Sequence, residues 1–131
     1  MQAQNKKNKV KPATTTVEQQ QVISCKGAKT RNWYAWINTM PPKPDDFHVT
    51  GEVRVGNPGV YALLTKKEPQ GINPAILLLD LHLVQRPGIW PQVVSWVPAR
   101  YDEITTESDY TEVNIFCGSD IIVQVPVDVV S

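Results

Sequence analysis

Residues 76–85 read Ile-Leu-Leu-Leu-Asp-Leu-His-Leu-Val-Gln, and this stretch decides the fold. Leu77, Leu79, Leu81 and Leu83 recur at every second position, with Ile76, Leu78, Asp80, His82 and Val84 between them. Leucine alone favours a helix, but a period of two is the period of a strand. Pro74 and Pro87 bound the run, and neither belongs inside a helix. The stretch is therefore predicted to be a strand with one leucine face turned to a core.

The same pattern extends outward in both directions. Phe47 to Val55 alternates, with Val49, Val53 and Val55 on one side and Thr50, Glu52 and Arg54 on the other. Gly51 falls on the apolar side and points to a bulge or a close neighbour. Gly56-Asn-Pro-Gly59 is a turn that returns the chain as Val60 to Thr65. Further back lie Asn32 to Asn38, with three aromatic residues, and a short first strand, Val22 to Cys25. Met40-Pro-Pro-Lys-Pro44 is a stiff extended connection. Downstream come Val93 to Val97, bounded by Pro91 and Pro98 as suits an edge, and Tyr110 to Cys117. Gly118-Ser119 turns the chain into a last strand carrying Ile121, Val123, Val125, Val127 and Val129.

Seven or eight short strands with turns between them predict an all-β domain. The expected form is an immunoglobulin-like β-sandwich of mostly antiparallel strands, with a small β-barrel as the alternative. At 131 residues the chain suits one domain, with 41% hydrophobic and 20% charged residues. Residues 1–21 are polar, rich in Gln, Lys and Thr, and read as a disordered tail before a single domain over 22–131.

Residues 51–88 also carry a resemblance. The Gly-Glu-Val-Arg-Val opening, the Asn57-Pro-Gly59 turn and Pro69-Gln-Gly-Ile-Asn-Pro74 before the leucine alternation resemble small uncharacterised bacterial β-sandwich proteins. The resemblance covers under a third of the chain and implies fold, bacterial origin and export, with no activity to transfer.

Composition excludes several classes. Thirteen basic and thirteen acidic residues cancel, so no global field draws the chain to nucleic acid. The signs are segregated, however. Lys6, Lys7, Lys9, Lys11, Lys26, Lys29 and Arg31 crowd the first quarter; Asp102, Glu103, Glu107, Asp109, Glu112, Asp120 and Asp128 dominate the last third. No apolar run is long enough for a membrane span. The start lacks the apolar core of a signal peptide, so the chain as written reads as cytoplasmic. If Met1 is a cloning start before a mature chain, it is periplasmic or secreted.

Cys25 and Cys117 lie 92 positions apart, without the spacing of a metal site. They either form a disulfide joining the first strand to the next-to-last, or remain small buried hydrophobes in a reducing compartment.

Catalytic motifs are not evident. There is no Gly-x-Ser-x-Gly elbow, no Gly-rich phosphate loop before a helix, and only His48 and His82 to serve as bases. The chain reads as no enzyme, and no cofactor is implied. Asp80 and His82 share a strand face and are weak metal candidates, with His48 as the one other histidine. Acidic pairs at Asp45-Asp46 and Asp102-Glu103, and the group from Glu107 to Asp109, lack a calcium-loop spacing and read as solvated.

Aromatic residues are the better lead. Trp33, Tyr34, Trp36, Tyr61, Trp90 and Trp96 are many for one domain, and Trp33 and Trp36 point to opposite faces. Trp90, held between Pro87-Gly88 and Pro91, is the predicted accessible ring, with Tyr61 as a second ligand-binding candidate. The sequence names no ligand. Its first reading is a non-catalytic interaction or structural module with a protein or glycan partner; the alternative is a carbohydrate-binding module using exposed tryptophans.

Overall fold

The computed structural model describes residues 20–105 and 110–131. Nearly all of the predicted tail, and the acidic group at 107–109, lie outside the described residues. The strands are β1 (Gln21–Ile23), β2 (Thr30–Asn38), β3 (Asp45–Val55), β4 (Val60–Lys66), β5 (Ile76–Gln85), β6 (Ser95–Thr105), β7 (Glu112–Cys117) and β8 (Asp120–Val130). The fold is all-β, with eight strands and no helix among the described residues.

The strands form one continuous mixed sheet, curled into a half-barrel and left open. Its order is β1-β5-β7-β8-β2-β3-β6, with β4 on the other edge of β5. Five of the seven ladders are antiparallel; β2–β8 and β5–β7 are parallel. The curl brings β4 and β6 into contact, with Lys66 3.9 Å from Glu103, but no hydrogen-bonded ladder joins them.

Strand β8 is the joint. It pairs with β7 from Asp120 to Pro126 and with β2 from Val127 to Val130. Pro126 sits at the changeover, where the lack of an N–H suits a strand leaving one partner for another. One half of the sheet is then β4-β5-β7, with β1 beside β7 along the β5 edge, and the other is β2-β3-β6.

The core fills the concave side. Leu77, Leu79, Leu81 and Leu83 are buried, as the alternation in residues 76–85 predicts. They meet Phe47, Val49 and Val53 from β3, and Val113 and Ile115 from β7. Gly51 leaves room for a neighbour: the Trp33 indole lies against its Cα, where a Cβ would collide with the ring. Cys25, just after β1, is bonded to Cys117 at the end of β7. Closing a loop of 92 residues stabilises the fold by about 4–5 kcal/mol in chain-entropy terms, with measured values nearer about 2–4.

Several strand ends shift by a residue or two from the sequence reading, with β1 ending at Ile23 rather than Cys25, but one strand departs further. Strand β6 does not end at Pro98 but starts at Ser95 and runs through it to Thr105, leaving Val93 and Val94 exposed ahead of it. As an end strand with β3 as its one ladder partner, β6 can accommodate a proline.

Candidate functional site

The predicted ring, Trp90, is only half-buried, yet it is not free. Its indole lies flat on the Gly59 turn, and its Nε1 donates to the Arg86 carbonyl at 3.0 Å. Tyr61 meets the same residue, with the Arg86 guanidinium 4.6 Å above its ring. Its hydroxyl donates to Gln20 Oε1 at 3.4 Å. Trp90 and Tyr61 thus share a corner in which Trp90 pins the 86–90 loop to the β3–β4 turn.

Asp80 and His82 share the outer face of β5 but turn to different partners. Lys67 Nζ bonds Asp80 at 3.0 Å, and Thr65 Oγ1 meets His82 Nε2 at 2.9 Å. No group of three or more His, Cys, Asp or Glu residues is arranged to hold a metal among the described residues. His48 lies in the other half of the sheet and is no third ligand for this pair. Beside Asp80 and His82 an open groove of about 770 Å³ follows the gap along the β5 edge where β1 has ended and β7 has turned away. Val22, Ile23, Leu81, Phe116 and the disulfide line it.

The acidic pairs separate for a simple reason: neighbours on a strand face opposite ways. Asp45 is buried rather than solvated, and accepts two bonds from Lys43 at 2.7 and 2.8 Å; Asp46 is exposed. Glu103 turns inward and accepts from the hydroxyls of Tyr101 at 2.8 Å and Tyr110 at 3.0 Å. Burial first, then the bond and charge of Glu103, push the Tyr110 hydroxyl up to about 12 and Tyr101 well above the usual range. Asp102 turns outward, into a cluster of aromatic and charged side chains.

That cluster covers the outer face of β2, β3 and β6. Ala35 and Ile37 point to the core, so Tyr34 and Trp36 point away from it. The sheet register places Asp128, Trp36, His48 and Asp102 in one row across four strands, and Tyr34, Thr50 and Arg100 in the next. Tyr34 stacks on Trp36 with centroids 5.0 Å apart and planes 20° apart, and His48 lies tilted against Trp36, also at 5.0 Å. Tyr34 remains 43% exposed.

Polar groups frame these rings. His48 Nδ1 lies 2.6 Å from Asp102 Oδ1, and a carboxylate can only accept, so the ring donates from Nδ1. Arg100 Nε donates to both oxygens of the same carboxylate at 3.1 and 3.0 Å. Partial desolvation pushes the Asp102 carboxyl up, but the bonds from His48 and Arg100 outweigh it and hold it below the usual range. Tyr34 is raised, first by desolvation and then by the charge and hydrogen bond of Asp128. At the far end of the face Arg31 bonds Glu52 at 2.6 Å and lies 3.8 Å over the Trp96 ring. The bond from Arg31, then that from Asn32, holds the Glu52 carboxyl low.

Sequence reasoning found these rings but not the site. Tyr34 and Trp36 stand out of phase with the core residues of β2, as His48 does in β3, which was a legible signal. Their convergence with Arg100 and Asp102 depends on β6 lying beside β3, more than forty positions away in the chain. Comparison with family models, curated proteins and solved structures finds no match to this chain.

Proposed function

We propose that this chain is a non-catalytic binding module that holds a ligand across the outer face of β2, β3 and β6. One observation carries the reading: the outward-facing Tyr34–Trp36–His48 cluster, with Tyr34 exposed and Trp36 and His48 partly so, framed by side chains already held by their own pairs. Rings and charges fixed before binding lose little entropy when a partner arrives. The chemistry nearby supports binding over turnover. Asp102 orients His48, but Trp36 rather than a nucleophile lies against that imidazole. Thr65 and His82 are in contact, yet Asp80 turns to Lys67 instead of orienting the histidine.

Two further readings belong to this proposal. An immunoglobulin-like sandwich fits the way β8 serves both halves of the sheet across a shared core. An oxidising compartment, periplasmic or extracellular, fits the Cys25–Cys117 bond.

The test uses immobilised protein and cell-envelope and extracellular fractions. The expected result is a bound component retained by the wild type and by Trp90→Ala but lost with Tyr34→Ala and with Arg100→Ala. Loss with Trp90→Ala alone would move the site to the Arg86 corner and overturn the proposal.

A further inference from the structure

We infer that the ligand of this face is a neutral glycan, an inference that rests on the binding-module reading above. The charge pattern selects it. Arg31 is matched by Glu52 and Arg100 by Asp102, which also accepts from His48, while Arg54, Asp46 and Asp128 add charges of both signs to the same face, so the face carries little net charge of either sign. A polymer with charges of one sign would meet fixed groups of both signs on this face and be repelled by about as many as attract it. A neutral polyol meets no such repulsion, and its hydroxyls donate and accept alongside pairs already made.

The groups left over have the needed variety. Arg100 uses Nε toward Asp102, which leaves its terminal nitrogens as donors. The Thr50 hydroxyl both donates and accepts, and Asp128, opposite Trp36 in the register, adds an acceptor at the edge of the face. Trp36 covers one face of the Tyr34 ring, and the other is the stacking surface for a sugar's apolar face. Tyr34, Thr50 and Arg100 span three neighbouring strands, about 10 Å, so the site suits a short run of sugar units rather than a single one.

The experiment titrates isotope-labelled protein with cellohexaose, xylohexaose, mannohexaose, maltohexaose and chitohexaose, following amide and indole signals by nuclear magnetic resonance. Polygalacturonate and oligolysine serve as charged probes. At least one neutral hexaose is expected to shift the Trp36 indole and the Thr50 and Arg100 amides. Its affinity should change little between about 0.05 and about 0.5 M salt, since no ion pairs form. Tyr34→Ala should weaken binding about tenfold or more, the equivalent of about 1.4 kcal/mol, while Tyr34→Phe keeps the ring and loses less. If no neutral hexaose shifts these signals, or only a charged probe does and loses its effect in salt, the glycan inference is overturned. The binding reading would then still be judged separately, by the Tyr34→Ala and Arg100→Ala captures. Shifts confined to Trp90 or to the groove beside the disulfide would overturn the site itself.

Discussion

Trp90 and the Tyr34–Trp36 pair are aromatic regions of similar look in sequence and opposite use in the structure. Trp90 sits among prolines and glycines, where a ring is expected to project. Gly59 has no side chain, and the indole settles into the space left there, with its N–H tied to the Arg86 carbonyl. Tyr34 and Trp36 lie within a strand, where burial is the usual expectation, yet they line its outer face. What separates the two regions is the surface opposite each ring. A glycine across a turn receives an indole; the outer side of a sheet that no other described strand covers leaves Tyr34 largely and Trp36 partly in solvent.

The largest effect is expected from removing an indole that fastens a loop. Trp90→Ala should cost about 2 kcal/mol, roughly half the figure for a fully buried tryptophan, in chemical denaturation. A change under about 0.5 kcal/mol, the range for surface sites, would put Trp90 in the same class as Tyr34 and erase the contrast.

Gly59→Ala sharpens the same point from the other side. The new methyl would overlap the Trp90 ring, so the loop must shift, at about 1–2 kcal/mol. In the double variant with Trp90→Ala that cost should largely disappear, and additive losses would mean the two residues do not act through each other.

Tyr34→Ala and Thr50→Ala should each stay within about 0.5 kcal/mol of the wild type, because both are on the outer face. A thermal or denaturant midpoint lowered as far as that of Trp90→Ala would show the stack to be a fastening rather than a display.

The smallest effect concerns pH. The folded state holds the Asp102 carboxyl below its ordinary value, so this group adds stability above about pH 4 that is lost as pH falls through the folded value. The side chain is half exposed, which keeps the contribution small. Urea midpoints of Asp102→Asn should therefore fall slightly less steeply on acidification than those of the wild type. Identical slopes would mean His48 and Arg100 lend the carboxylate nothing.

Much of this molecule was legible as strands and faces. The leucine alternation of β5 and the valine alternation of β3 gave the buried sides correctly, because a period of two is imposed by the backbone itself. Gly51 announced a close neighbour, and the neighbour is Trp33. Burial depth was not legible in the same way. Strands β3 and β8 are both 11 residues long with apolar residues in alternation. In β3 the alternate positions from Asp45 to Val55 are all buried, whereas in β8 only Val125 is. Strand β3 is flanked along its length by β2 and β6, while β8 divides its length between two partners and leaves its ends beyond the core.

The sequence by itself determined the all-β character, the strand periods and which side chains share a face, since these follow from local backbone geometry and from prolines and glycines at the turns. Only the tertiary structure decided which strands lie side by side, and with that the site. Asp102 reaches His48, Arg100 lines up with Tyr34 through Thr50, and Trp90 finds Gly59 because particular strands and turns are neighbours in space. Strand order is set by how apolar faces far apart in the chain close over one core, and residue-by-residue periodicity does not encode that.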